Sequence, residues 1–362
     1  MRIAFWGWKN SFDYFHIGGT ESFVRRLTSG LNDNHVEVDY IMYASEQRKD
    51  VVINDWLKLK YFVKFEDALE ALKYEYDHVA TIYLFPLDRL KFARFRKKNE
   101  SKIKFHFVYT GWPDSSIKRW LLFLEARLFP YNGQLFCISK RQYQHLIQSS
   151  KKVTYLIPPV PEDFFVTPKD KPTQEKIRIT FLGRIDPGKG IEDVIKAFER
   201  LSTDNRYECS IYGIHLSENK ISVAIHNQLK AQKSINYIEV DRLAYSSEVE
   251  NMVRDILRAT DIFVQPYKRL SSTIDTPLLL LEAMANLCIV VTRPFGNIPE
   301  IYGQSRFFVK DDDFAWQFIK KVNDLSIDDI TAERQRVYQQ IRCLDFGASA
   351  VAKNFIEAIC NG

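Results

Sequence analysis

Short apolar runs alternate with amphipathic stretches along the whole chain. Arg2–Phe5 predicts a first strand, followed by a loop with Gly18 and Gly19 and then by Glu21–Leu31, whose Phe23, Leu27 and Leu31 recur at helical spacing. Val36–Met42 predicts a second strand, with Val36, Val38 and Tyr40 alternating against Glu37 and Asp39. Val79–Phe85, Phe105–Tyr109 and Gln134–Ile138 predict three more, with helical segments between them. The periodicity lapses over Pro158–Pro172, where Pro158, Pro159, Pro161, Pro168 and Pro172 read as a hinge linker. It then restarts: strand Ile177–Leu182, glycine-containing loop Gly183–Gly190, and helix Ile191–Leu201 with Ile191, Val194, Ile195 and Phe198 on one face. Cys209–Tyr212, Ile235–Val240, Ile262–Gln265 and Ile289–Thr292 supply further strands.

Strands alternating with helices predict parallel sheets covered on both faces, and ligands of such sheets sit beyond the strands' carboxyl ends. The expectation is an α/β protein of two Rossmann-like, doubly wound domains facing across a cleft: 1–157, a linker over 158–176, and 177–344. A length of 362 residues fits two domains at ~100 to 200 residues each.

Composition narrows the class. Hydrophobic residues at 46% and charged residues at 27% are those of a folded globular protein. No apolar stretch approaches the ~20 residues of a membrane-spanning helix, and Met1–Phe5 lacks the features of a signal peptide, so a cytoplasmic location is expected. Five cysteines, Cys137, Cys209, Cys288, Cys343 and Cys360, are scattered without metal-ligand spacing. A net charge of +5 is too mild to point to nucleic acid. The charge is uneven, however: Arg89–Lys104 carries eight Lys/Arg against the single acid Glu100.

Three constellations carry candidate chemistry. Phe181–Gly190 places Gly183, Arg184 and Lys189 in a glycine-rich turn between strand and helix, where a forked guanidinium, a mobile ammonium and helix-start amides suit a diphosphate. The same residues also suit a tight turn with two solvated cations. In Ser272–Ala285 a polar loop leads to a helix with four consecutive leucines, which is buried, and Glu282 lies just over one turn beyond Pro277. A carboxylate there requires partners: the two hydroxyls of a ribose, or a neighbouring Arg or Lys. His16-Ile17-Gly18-Gly19-Thr20-Glu21 is a glycine pair before a helix start, without the spacing of a dinucleotide fingerprint.

In this order and in two Rossmann-like halves, the three constellations resemble the retaining family-four glycosyltransferases of GT-B architecture (glycosyltransferase group 1), and the resemblance covers essentially the whole chain. It extends to Asn297-Ile298-Pro299-Glu300, Ile138-Ser139-Lys140 and Ile157-Pro158-Pro159. It implies that Arg184 and Lys189 clamp the diphosphate of a UDP- or GDP-sugar, that Glu282 holds the ribose, and that Gly18 and Gly19 let the first loop close on the phosphates. It further implies that Thr276, Pro277, Leu278 and Leu279 help hold the donor, and that the C-terminal helix, 345–362, packs back onto the first domain. The family's second glutamate is absent: Ile274 holds its place, and the adjacent Asp275 is the expected substitute. His106, within a strand, reads as a core or lining residue.

Without an enzymic nucleophile, the expected mechanism is front-face attack with the leaving diphosphate as proton acceptor, and Arg184 and Lys189 supply the charge that a metal supplies elsewhere. No cofactor or metal is expected; Asp311-Asp312-Asp313 reads as a solvated loop. For the acceptor, Trp6, Trp8, Phe12, Tyr14, Phe15 and Trp112 offer aromatic faces near predicted strand ends, with His16 beside them; ordinary core packing is the alternative. Arg89–Lys104 together with Lys118–Phe123 suits an anionic membrane surface, pointing to a lipid-linked glycan acceptor in polysaccharide biosynthesis, against a solvated basic face. The competing functions are a sugar-nucleotide epimerase and a catalytically degenerate sugar-nucleotide-binding subunit.

Overall fold

The apolar runs of the first half become strands of a single sheet. In the computed structural model, which describes residues 1–46, 48–73, 75–82, 84, 86–111, 113, 115–171, 175–241, 244–269, 273–310 and 313–361, these are β1 Arg2–Trp8, β2 Glu37–Tyr43, β3 Val51–Asn54, β4 Leu57–Tyr61, β5 His78–Thr81, β6 Lys104–Tyr109, β7 Leu135–Cys137 and β8 Val153–Tyr155. Helices α1 Gly19–Asp33, α2 Phe65–Ala71, α3 Arg89–Asn99, α4 Ser116–Leu128 and α5 Lys140–Leu146 connect them. The strand order is β3-β4-β2-β1-β5-β6-β7-β8, parallel except for the β3–β4 pair at the edge. That hairpin departs from the expected all-parallel pattern: Leu57 and Leu59 are buried while Lys58 is exposed, the alternation of a strand with one covered face. Central β1 is buried on both faces, as a parallel strand flanked by helices must be. Trp6 stacks on Phe92 at 4.4 Å and on Tyr43 at 5.6 Å. Phe5, its neighbour along the strand, meets Phe355 at 6.2 Å.

The second half forms a five-stranded parallel sheet in the order β11-β10-β9-β12-β13. Its strands are β9 Ile177–Arg184, β10 Tyr207–Ile214, β11 Asn236–Glu239, β12 Ile262–Gln265 and β13 Ile289–Thr292, with helices α6 Ile191–Leu201, α7 Lys220–Ala231, α8 Ser247–Ala259, α9 Leu278–Ala285, α10 Ile298–Tyr302, α11 Phe314–Asn323 and α12 Ile327–Leu344. The helical face read from α6 is the buried one: Ile191, Val194, Ile195, Phe198 and Leu201 join a core with β9, β10, β12 and α11. A buried ion pair fastens this unit, with the Arg334 guanidinium of α12 bonded to Asp261 and, at 3.0 Å, to the Lys171 carbonyl.

The chain ends in α13 Ala348–Asn361. Two compact units result: one of Met1–Glu162, Ile274–Thr276 and Phe346–Gly362, the other of Asp163–Thr273 and Pro277–Asp345. The proline-rich stretch beyond Asp163 does not stand apart. The Val166 amide donates to the Ala285 carbonyl at 3.0 Å, and the buried Lys171 ammonium bonds the carbonyls of Asn286 at 2.6 Å and Leu257 at 3.2 Å. Pro172 lies outside the described residues.

Within the first unit α13 lies along α1. Gly30 permits this: a Cβ there would come within 2.3 Å of the Ala348 carbonyl oxygen and 2.8 Å of the Ala352 Cβ. Helix propensity alone favours Ala over Gly by about 1 kcal/mol, but overpacking against backbone costs about 1–3 kcal/mol. The steric term wins, so Gly30→Ala is expected to lower the urea midpoint of unfolding, whereas Ser29→Ala, at an exposed position of the same helix, leaves it unchanged or slightly raised.

Candidate functional site

The turn after β9 is a built structure rather than a loose loop. Asp186 caps it, accepting from the Gly188 amide at 2.8 Å, and Pro187 starts a short 3-10 turn that ends at Gly190. Gly190 has φ +77°, and a Cβ there would meet the Pro266 carbonyl oxygen at 2.4 Å, so both its backbone and its surroundings demand glycine. The segment after β12 is laced to this turn: the Lys268 amide donates to the Gly188 carbonyl at 2.8 Å. The Arg293 guanidinium donates to the Pro266 carbonyl at 2.7 Å and to Asp193, in the first turn of α6, at 2.9 Å.

Lys189 and Arg184 occupy this frame differently. Lys189 is buried, with its ammonium 5.7 Å from the Tyr267 ring centroid and 3.6 Å from where a Cβ on Gly183 would stand. Burial, reinforced by the Arg184 charge and opposed by Asp186, pushes its pKa down to about 8. Arg184 is exposed at the carboxyl end of β9. Glu282 is buried in α9, 3% exposed, among apolar neighbours. Tyr267 joins the three electrostatically: burial raises its phenol pKa, the Glu282 charge raises it further, and Arg184 opposes. This unit therefore gathers Gly183, Arg184, Lys189 and Glu282 around Tyr267, a residue the sequence reading did not single out. Its signal in the sequence is only its place, just beyond the strand Ile262–Gln265. Pro277 is the N-cap of α9, and Leu278 and Leu279 are its first two residues.

The remaining candidates belong to the first unit. Gly18 is the N-cap of α1 and Gly19 its first residue. The Glu21 carboxylate folds back over Gly18, where a Cβ would lie 2.3 Å from its Oε2, and burial raises the Glu21 pKa. This helix start is thus already faced by an acid. Arg25 ties the preceding loop down, donating to the carbonyls of Tyr14 and His16 at 2.8 Å each, while the His16 side chain is exposed. Ile274 packs onto Gly19, where a Cβ would come within 2.8 Å of it. An apolar side chain thus covers the start of α1.

Asp275 is buried and ion-paired at 2.5 Å with Arg141 of α5, a partner that spacing could not reveal. Its second oxygen, Oδ2, is buried with no hydrogen-bond partner among the described residues. The Thr276 hydroxyl donates to the Ile138 carbonyl at 2.5 Å, so that group is spent on structure. Trp112 lies outside the described residues, as do Asp311 and Asp312. Of the other aromatic candidates, Trp6 and Phe12 are fully buried core residues and offer no face to a sugar. His106 is a core group too, bonded to His78 at 3.0 Å and to the Gln134 amide at 2.8 Å, and burial pushes its pKa down to about 3.

Residues 176–328 match the family model described as glycosyl transferases group 1. No curated protein sequence matches the chain. Among solved structures, sucrose-phosphate synthase (tll1590) from Thermosynechococcus elongatus aligns with 14% identity and a TM-score of 0.71, over 100% of this chain and 98% of its own. Anabaena Alr3699/HepE in complex with UDP-glucose aligns with 11% identity and a TM-score of 0.70, over 100% of both chains. A glycosyltransferase from Rickettsia africae ESF-5 aligns with 17% identity and a TM-score of 0.63, over 99% and 98%. The matched segment holds Arg184, Lys189, Tyr267 and Glu282. Residues 176–328 are thus similar to a glycosyl transferases group 1 domain, and the chain that carries them has the two Rossmann-like units of the GT-B fold.

Proposed function

We propose that the chain is a retaining glycosyltransferase that moves a hexosyl group from a UDP- or GDP-sugar to a glycan or lipid-linked glycan acceptor, without metal or cofactor. The observation that carries this reading is the buried Lys189 ammonium with its depressed pKa, set beside Arg184 in a rigid strand-to-helix turn. A cation kept out of water calls for an anion, and a diphosphate at a helix start meets that need. Glu282 would accept from the ribose hydroxyls, and amides near Thr276–Leu279 would add donors. In the transfer, the acceptor oxygen bonds the anomeric carbon on the face from which the diphosphate leaves. The carbon–oxygen bond to the β-phosphate breaks, and the departing phosphate takes the acceptor's proton. Arg184 and Lys189 would stabilise the charge growing on that phosphate. Asp275 is the proposed sugar contact, supported by its unpartnered Oδ2.

A catalytically degenerate binding subunit is the second reading, favoured by Ile274 lying buried against Gly19 where the family glutamate is expected. Turnover separates the two. With a panel of uridine, guanosine and adenosine diphosphate sugars and no added metal, one nucleotide is expected to bind saturably and its sugar to be slowly hydrolysed. Arg184→Ala is expected to weaken binding at least tenfold. Binding without turnover supports the degenerate subunit; absence of binding to every donor overturns both readings.

Lys189 gives the reaction a pH signature. Its folded-state pKa is depressed, so the free protein holds the cation below about pH 8 and loses it as pH rises through that value. Donor affinity, measured by titration calorimetry from pH 6.5 to 9.5, is expected to fall above pH 8. Lys189→Arg, which stays charged, is expected to flatten that fall.

Among the described residues no helix is long and apolar enough to cross a membrane. We nevertheless propose peripheral attachment of a cytoplasmic protein to anionic lipid through α3 and α4. Leu90, Ile117 and Trp120 are 60%, 70% and 58% exposed, beside the exposed cations Arg94, Lys97, Lys98 and Lys118. Leu122 packs on the core beside β7 and the half-buried Phe123 meets the His145 ring at 6.0 Å, so both leave this face. Flotation with phosphatidylglycerol vesicles is expected to carry the protein upward, and Trp120→Glu with Lys98→Glu to abolish it; failure of the wild type to float on anionic vesicles overturns the attachment.

A further inference from the structure

Two histidines and a glutamate meet at the carboxyl edge of the second unit's sheet. His215 follows β10, His226 lies in α7 and Glu239 ends β11. Glu239 Oε1 is approached by His215 Nδ1 at 3.1 Å and by His226 Nε2 at 3.7 Å. One ligand atom from each residue lies within 4.8 Å of the others. Zinc bonds of about 2.0–2.2 Å to nitrogen and oxygen place tetrahedral ligand atoms roughly 3.3–3.6 Å apart, so binding draws the three together and turns the partly exposed His215 ring out of its stack on His226, where the centroids are 4.3 Å apart and the planes 20° apart.

The outer contacts orient the ligands. The Tyr237 hydroxyl lies 2.6 Å from His226 Nδ1, leaving Nε2 as the nitrogen turned to Glu239. Lys230 holds the other carboxylate oxygen, Oε2, at 2.8 Å, so Oε1 is the oxygen left to face the imidazoles. His215 is partly exposed, leaving room on that side for water as a fourth ligand.

We propose that His215, His226 and Glu239 form a three-ligand site for a zinc-class divalent cation. Imidazole nitrogen with a single carboxylate selects zinc or its neighbours over magnesium. The ion would tie together the ends of β10, α7 and β11. It is separate from the proposed transfer chemistry: Glu239 pairs with Gly213 and Gly213 with Gly183, so the site is two strands, roughly 10 Å, from Gly183, against which the Lys189 ammonium lies.

The test uses the tag-free full chain, stripped with EDTA and titrated with zinc chloride, with magnesium chloride as the contrasting ion. One zinc per chain, a zinc-dependent rise in the thermal midpoint, and no comparable response to magnesium are expected. His226→Gln and Glu239→Gln are each expected to weaken zinc binding at least tenfold and to remove the rise. Cobalt(II) titration of the wild type avoids reliance on variant folding: visible bands of a four-coordinate nitrogen and oxygen site are expected. No saturable zinc binding, binding unchanged in both variants, or a sulfur-to-cobalt charge-transfer band placing the ion on exposed Cys343 or Cys360 would each overturn the proposal.

Discussion

An ammonium group held out of water dominates the second unit. Removing a cation from solvent costs several kcal/mol unless compensating charge or hydrogen bonds are supplied, and Lys189 has as close charges Asp186, which favours its protonation, and Arg184, which opposes it. The surrounding frame keeps that arrangement in place. Asp186 closes the turn, Gly190 admits the Pro266 carbonyl, and Arg293 locks the same carbonyl to the acid-bearing start of α6. A flexible loop would let the amine swing into solvent; this one is cross-braced through backbone at several points. The depressed pKa is therefore a consequence of backbone geometry as much as of side-chain chemistry.

Much of the fold was legible because parallel sheets need continuous apolar strands. Ile262–Gln265 and Ile289–Thr292 were read residue for residue, as was the helix Ile191–Leu201, whose apolar positions recur every three to four residues. The hairpin Val51–Tyr61 was not read, although Leu57-Lys58-Leu59-Lys60 alternates as a strand with one covered face should; its short arms lacked a turn signal strong enough to stand out. Val153–Tyr155 is too short to show any period. The aromatic cluster near the N-terminus misled for a different reason. Trp6 and Phe12 have the same composition signature whether they face a sugar or a core, and only the sheet's two covered faces decide for the core.

Within the site, local motifs were visible and long-range partners were not. Gly183, Arg184 and Lys189 lie in one short stretch, so their association needs no tertiary knowledge. Tyr267 and Arg141 reach the candidate residues only through the fold, and neither carries a motif. The cluster of His215, His226 and Glu239 belongs to the same category: each residue sits on a different element, at spacings matching no metal-binding pattern.

The close contact of α13 with Gly30 bears on how the polypeptide acquires its structure during synthesis. The first unit is discontinuous, interrupted by the whole of the second. As the chain emerges from the ribosome, the Gly30 face of α1 and the Phe5 side of the sheet stay without their covering helix until the second unit has been translated. The earlier half of the sequence thus becomes the later half to finish folding, and its exposed apolar face is a surface for chaperones to guard during that interval.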